Sequence, residues 1–350
     1  MSLLQETIGK IESLDQIKMN EIRMRLDNLV KPPESLGRLE DIAIQLAGIT
    51  KTVYPDLNNK AIIVMAADHG VYEEGVSGNP QNVTYIQTPL FPRGLTGVCA
   101  ISKVSGAKVV AVDIGVKGDI SSETGVVIRK IKHGTDNIAK GPAMTRDEAI
   151  KSIEVGIQIA NEEIENGAQL LGIGEMGIGN TTPSTAILSI LAGVDDPVEI
   201  TGIGAGIGEG GIDHKAKVID EAIKLNHPDP KDGTDILSKV GGLEIGGMAG
   251  VILAAAAKRT PVVVDGYIST AAALIAAVIE PKAKEFMITS HVSLEPAAKK
   301  ASELLGINPL MEMNMRLGEG SGAALVFPII ESACSIIRNM ATFDEVGMKI

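Results

Sequence analysis

Tryptophan is absent from this 350-residue chain, and tyrosine and phenylalanine number four each. With aromatics at 2% and hydrophobic residues at 45%, any large core must be filled by Ile, Leu, Val, Ala and Met. Cysteine is almost missing too. Cys99 and Cys334 are too few and too far apart for a disulfide framework or a cysteine metal site. Asp68-His69 could pair at a metal, but His133, His214, His227 and His291 are scattered without ligand spacing, so no metal is expected. Positive charge is in deficit, with a formal net charge of −12, which counts against a nucleic-acid-binding surface. It leaves room for a local basic pocket that takes a phosphorylated small molecule.

Several motifs are missing as well. No Gly-x-x-x-x-Gly-Lys-Ser/Thr occurs, which excludes a P-loop nucleotidase, and no Gly-x-Ser-x-Gly elbow marks a serine hydrolase. There is no fixed-period repeat, low-complexity block or long linker. The apolar stretch 248–257 is too short to span a bilayer and is closed by Lys258-Arg259. The first 18 residues lack a signal-type apolar run. These absences predict a cytoplasmic protein that engages neither membrane nor nucleic acid.

What is present is an alternation of short apolar runs with longer amphipathic stretches. Strands are predicted at 61–67, 108–112, 169–173, 261–264 and 285–289, with helices at 147–166, 213–225, 269–279 and 293–305. This rhythm predicts an α/β fold, a parallel sheet with helices on both faces. The stretches 4–29 and 321–340 read as helices outside the rhythm. They predict a small helical domain from both chain ends, 1–30 and 321–350, beside a large catalytic domain at 31–320. The predicted strands run into Asp68, Asp113, Glu175, Asp265 and Ser290-His291. Ligands of open parallel sheets bind at that edge, where helix caps alone do not account for Glu175 or His291.

Three glycine-rich loops are candidates for ligand contact. Gly318-Glu319-Gly320-Ser321-Gly322 sets one carboxylate in a glycine turn, positioned to act on a bound molecule. Gly177-Ile178-Gly179-Asn180-Thr181-Thr182 precedes a predicted helix and is suited to hold an anion on backbone amides. Gly202 to Gly211 follows a short predicted strand at 197–200 and precedes a helix with Lys215. It fits phosphate binding with Lys215 as charge partner better than the dinucleotide pattern of an NAD-dependent oxidoreductase, which remains the competing class. The segment 31–40, KPPESLGRLE, reads as a proline-stiffened turn with Ser35 as helix cap, or as a basic rim to the site.

The segments KPPESLGRLE (31–40), ADHGV (67–71), GEMGIGNTT (174–182), GIGEGGI (206–212), SHVSLEP (290–296) and RLGEGSGAAL (316–325) together resemble the nicotinate-nucleotide:dimethylbenzimidazole phosphoribosyltransferase family. The resemblance runs over nearly the whole chain in the same order. It implies a Rossmann-like sheet, no bound cofactor, and transfer of phosphoribose from nicotinate mononucleotide to an aromatic base in cobamide nucleotide-loop assembly. It implies Glu319 as general base and Glu175 as a second active-site carboxylate. Gly177, Gly179, Asn180, Thr181, Gly206, Gly208, Lys215 and Ser293 would be the phosphate contacts, and Ser77, Tyr85 and Leu317 the acceptor pocket. Residues 83–97 depart from the family pattern, and Ala297-Ala298 replaces its usual Gly-His. A variant branch activates phenol and p-cresol and pairs with a homologous subunit. The resemblance therefore implies a homodimer, or a heterodimer with a homologous subunit, and leaves a catalytically weak partner subunit as the alternative.

Overall fold

The computed structural model describes residues 1–204 and 206–348; Ala205 of the second glycine loop and residues 349–350 of the predicted C-terminal segment lie outside it. Six strands form one sheet: β1 (Lys60–Ala67), β2 (Ala107–Gly115), β3 (Val127–Ile128), β4 (Leu170–Met176), β5 (Val262–Val264) and β6 (Met287–Thr289). Their order is β3-β2-β1-β4-β5-β6, and every pairing is parallel. The chain leaves β1 in one direction and returns beyond it to β4. This creates a switch point between β1 and β4, where the carboxyl ends of the strands open a crevice.

β1, β4, β5 and β6 bury both faces, as a parallel sheet requires, while the edge strand β3 and the start of β2 are only partly covered. Along β1, Ile63 and Met65 join one core with the helices Arg146–Glu165, Leu243–Ala257 and Tyr267–Ile279. Ile62 and Val64 join a second core with Arg38–Thr50, Gly97–Ser105 and Ser321–Asn339. Lacking large rings, the first core closes by bringing backbones together. A side chain at Gly156 or Gly250 would collide with the carbonyl of Gly247 or Ile153 on the facing helix.

The five predicted strands and four predicted helices are present, with shifted ends. Strand β2 runs on through Gly115, and β4 through Glu175 to Met176. The helix expected from 293 starts only at Ala298. The two-residue β3 carries no sequence signal at all. The stretch 4–29 is two helices, Leu3–Ile8 and Gln16–Asp27, because Gly9 ends the first and the Asp15 side chain caps the second. Residues Pro197–Ile200 form a 3₁₀ turn rather than a strand; Pro197 has no N–H to give a ladder, and Asp196 caps the turn. Nor does Ser35 cap the helix Arg38–Thr50: its N-cap is Gly37, and Glu40 reaches back to the Leu36 amide instead. The basic residues there serve structure, Lys31 pairing with Glu40 at 2.9 Å and Arg38 donating to the carbonyls of Asn308 and Pro309.

The chain ends meet, with Leu29 bridged to Thr342 and the Phe343 amide donating to Asn28. The helix Ser321–Asn339 is long and apolar enough to cross a bilayer, yet it buries Ala323, Val326, Phe327 and Ile330 in the second core. Gly172 and Gly174 on β4 make room for it. A Cβ at Gly174 would lie inside the backbone of Glu319 and Gly320. Gly174→Ala should therefore cost roughly 1–3 kcal/mol, the usual penalty for overpacking a closed core. Gly141→Ala, which adds a methyl in open space, should be neutral. Thermal melts of the two variants decide; a Gly174→Ala melt that overlays wild type would mean that the turn retreats freely.

Candidate active site

The crevice at the β1–β4 switch point holds a cavity of about 260 Å³. Its wall includes Glu175, Gly177, Asn180, Thr181, Asp265, Ser293, Leu317 and Glu319, so residues far apart in sequence converge. Gly318, Glu319 and Gly320 all take left-handed backbone angles, φ 85°, 63° and 89°. For Glu319 that conformation costs on the order of 1 kcal/mol and must be held from outside. Asp265, one residue past β5, holds it. Its Oδ2 accepts from the Gly320 amide at 3.0 Å, and Oδ1 accepts from Gly322 at 2.6 Å and Ala323 at 3.2 Å. These amides open the helix Ser321–Asn339 and have no partner within it.

The Glu319 carboxylate is fixed at both oxygens. Gln87 donates to Oε1 at 2.5 Å, and the Val98 amide, in the first turn of Gly97–Ser105, donates to Oε2 at 3.0 Å. The side chain is 3% exposed and faces the cavity. Across from it Glu175 accepts a hydrogen bond from Asn180. Burial pushes Glu175 up to about 8; the Asn180 bond opposes this, and the neighbouring Glu244, Asp265 and Glu319 add to it. Burial likewise pushes Asp265 up to about 7, against the pull of its three amide donors.

Lys215 does not line the cavity: it is fully buried behind the Thr181 and Gly204 wall, where it donates to Thr181 Oγ1 at 2.7 Å and to the Gly202 carbonyl at 3.2 Å. Burial lowers it to about 8, partly countered by Glu295. Glu295 is itself raised by burial, while Lys215, Arg316 and the Gly204 amide pull it down. Lysine and hydroxyl thus meet where the Gly177–Thr181 loop enters the helix Thr181–Ala192.

The other expected residues fall as follows. Gly179 adopts φ 94° behind the cavity wall, against His69. Gly206 and Gly208 are exposed, and Gly204 lines the cavity in their stead. Ser77 turns onto Asn79, which does line it. Tyr85 faces away: on the short helix Val83–Gln87, positions 83 and 87 face the cavity, while the Tyr85 ring packs on Gly118. Sequence reasoning missed Gln87, Tyr267 and Glu295 of the wall and the buried Glu244 behind it. Gln87 and Glu295 stand inside segments already singled out. Glu244 lies in an apolar helix, where an isolated acid was the available signal.

The raised Glu175 has a consequence for stability. Between the ordinary carboxylate range and about 8, the folded chain holds a proton on Glu175 that the unfolded chain has released, so this group's contribution falls as pH rises through that window. Glu175→Gln removes the penalty and keeps an acceptor for Asn180. Its melting temperature should match wild type near pH 5 and exceed it by several degrees near pH 8; a pH-independent difference would contradict the burial argument.

The phosphoribosyltransferase family profile DBI_PRT matches residues 11–348. Nicotinate-nucleotide–dimethylbenzimidazole phosphoribosyltransferase of Alkaliphilus metalliredigens is 65% identical over 350 residues, covering 100% of both chains. The protein of the same name from Clostridioides difficile is 56% identical over 348 residues, 99% of each. A crystal structure of the nicotinate-nucleotide–dimethylbenzimidazole phosphoribosyltransferase of Thermus thermophilus superposes with a TM-score of 0.91 at 37% identity, covering 96% of this chain and 100% of that one. With its switch-point cavity and its motifs in matching order, this chain belongs to that phosphoribosyltransferase family.

Proposed function

We propose that this enzyme transfers the phosphoribosyl group of nicotinate mononucleotide to an aromatic nitrogen base such as dimethylbenzimidazole, releasing nicotinate, as a step in cobamide lower-ligand assembly in the cytoplasm. The observation that carries the proposal is the doubly anchored Glu319 carboxylate, facing a phosphate-type cradle across one cavity. The phosphate sits at the start of the helix Thr181–Ala192, against Thr181, Gly204 and Ser293 with Lys215 behind Thr181, which sets the ribose near Glu175 and Glu319.

As the bond from C1′ to the pyridinium nitrogen breaks, its electrons neutralise the ring, which leaves as nicotinate. The ribose gathers positive charge. Glu319 stands on one side of that charge, and Glu175, which burial keeps protonated up to about 8, releases its proton more readily as the positive charge comes beside it. The acceptor's free ring nitrogen attacks C1′ from the opposite face, inverting it to the α-nucleotide. Its second ring nitrogen gives up its proton to Glu319. Gln87 and the Val98 amide keep the carboxylate aimed at that proton.

Supplying nicotinate mononucleotide with dimethylbenzimidazole, or with phenol or p-cresol in parallel, and measuring released nicotinate tests the reading; no release with any acceptor would end it. Glu319→Gln should retain nicotinate mononucleotide binding by calorimetry and lose about two to four orders of magnitude in turnover, the span of general-base loss. Unchanged turnover would remove Glu319 from the chemistry. Lys215→Ala should weaken nicotinate mononucleotide roughly tenfold or more, the loss of one charged hydrogen bond, and leave acceptor binding nearly intact. Equal losses for both ligands would assign Lys215 to folding instead.

A further inference from the structure

Behind the cavity lies a buried pair that the reaction above does not use. His69, just past β1, and Glu244, in the first turn of Leu243–Ala257, are 1% and 0% exposed. His69 Nε2 stands 2.9 Å from Glu244 Oε1. Among the described residues none of the two imidazole nitrogens and two carboxylate oxygens makes a properly directed hydrogen bond, to each other or to any other group, so the pair meets by charge proximity alone. The pair touches the site: a Cβ at Gly177 would meet His69 Nε2 at 3.3 Å and Asn180 Nδ2, the donor to Glu175, at 3.4 Å.

Acids dominate the surroundings. Asp68 adjoins His69 on the same loop and accepts from the Lys117 amide. Glu175 reaches in from β4, Asp265 from the end of β5 and Glu319 from the left-handed turn, and the charges that act on Glu175 are Glu244, Asp265 and Glu319. Two imidazoles meet this group among the described residues: His69 faces Glu244, and His291 Nδ1 lies 3.9 Å from Asp265 Oδ1, where burial pulls it down and no carboxylate pulls it back up. A carboxylate buried like Glu244 costs several kcal/mol unless a cation meets it. Burial alone pulls the His69 imidazole down; Glu244 and then Asp68 pull it up, and the upward pull prevails.

We propose that His69, held as the imidazolium by Glu244, is a positioning residue that cancels one negative charge behind Glu175 and so sets the protonation of the carboxylates that face the ribose. This rests on the proposed reaction for its activity readout. His69→Gln keeps an N–H donor for Glu244 and removes the charge, so a role in packing or hydrogen bonding alone would leave its pH profile in place.

The acid limb of kcat/KM for nicotinate mononucleotide should move up by about one pH unit in His69→Gln, a tenfold loss below the limb, with kcat falling more than KM rises. His69→Gln combined with Glu244→Gln removes both charges and should return the limb toward wild type. An unmoved limb in the single variant, or a double variant no better than the single, overturns the proposal. A second arm needs neither turnover nor a variant that folds. In the ¹⁵N-histidine spectrum of the intact wild-type protein, one of the five imidazoles should remain doubly protonated after the other four have become neutral. Five imidazoles that all turn neutral together overturn it as well. Wild-type protein that releases no nicotinate would sink the reaction and leave this spectral arm to decide the pair.

Discussion

Asp265 accepts three backbone amides at the start of the last helix, and this capping interaction decides where Glu319 stands. The turn it closes is left-handed at three consecutive residues, one of them not glycine. Such a turn persists only where surrounding groups over-determine it. Here they do so from two strands. β5 is three residues long and delivers Asp265 to the helix end, while β4 offers Gly174 in place of a side chain so that the turn can lie on the sheet. The capping carboxylate and the glycine are a matched pair. Without the first, the helix N-terminus would be buried with open donors; with any larger residue at the second, the turn could not approach.

The same geometry concentrates charge. Glu175, Asp265 and Glu319 line the cavity with Glu244 behind them, while Arg316 and Glu295 line it too and Lys215 lies buried behind Thr181, close enough to act on Glu295. Gathering acids in a buried place costs stability, which is why Glu175 and Asp265 are pushed up. A neutral substrate would gain little from this polarity. A nucleotide with a phosphate at one end and a pyridinium at the other matches it, since it brings an anion to the lysine and a cation to the acids. The strained charge state of the site is then compensated on binding and used as positive charge grows on the ribose.

Sequence reading reached the sheet, the acidic strand ends and the glycine loops because these are local. Periodicity marks strands, and glycine marks places where backbone must come close. It failed where tertiary contact decides. β3 is two residues on the edge of β2 and has no pattern to read. The break at Gly9 and Asp15 splits a stretch whose charges alone suggest one helix. The functional partner of a motif was the hardest part. Asp265 was visible as a strand-end acid, yet its three amide partners lie more than fifty residues away. Glu244 was hidden in a helix otherwise rich in Ala, Gly and Leu, and His69 in a loop whose histidine suggested a metal more readily than an acid.

The segment 83–97 acts on the site through helix geometry. Val83 and Gln87 are one helical turn apart and both face the cavity, whereas Tyr85 falls on the opposite side and covers Gly118. Tyr85 therefore packs the back of this helix, and the cavity keeps Val83, Leu317, Met176 and Ile178 as apolar walls with the Gln87 amide among them. Gln87 also holds Glu319, so the residue that borders the acceptor also aims the carboxylate. In the proposed reaction a flat ring between those walls is oriented by apolar contact on its faces and by its polar edge toward Glu319. Acceptor choice on this wall turns on which ring places a proton within reach of that carboxylate while its other nucleophilic atom lines up with C1′. A benzimidazole separates those two duties over two nitrogens, whereas a phenol must perform both at one oxygen. In the proposed reaction Glu319 is the one base, and that arrangement suits the division of labour of the two-nitrogen ring.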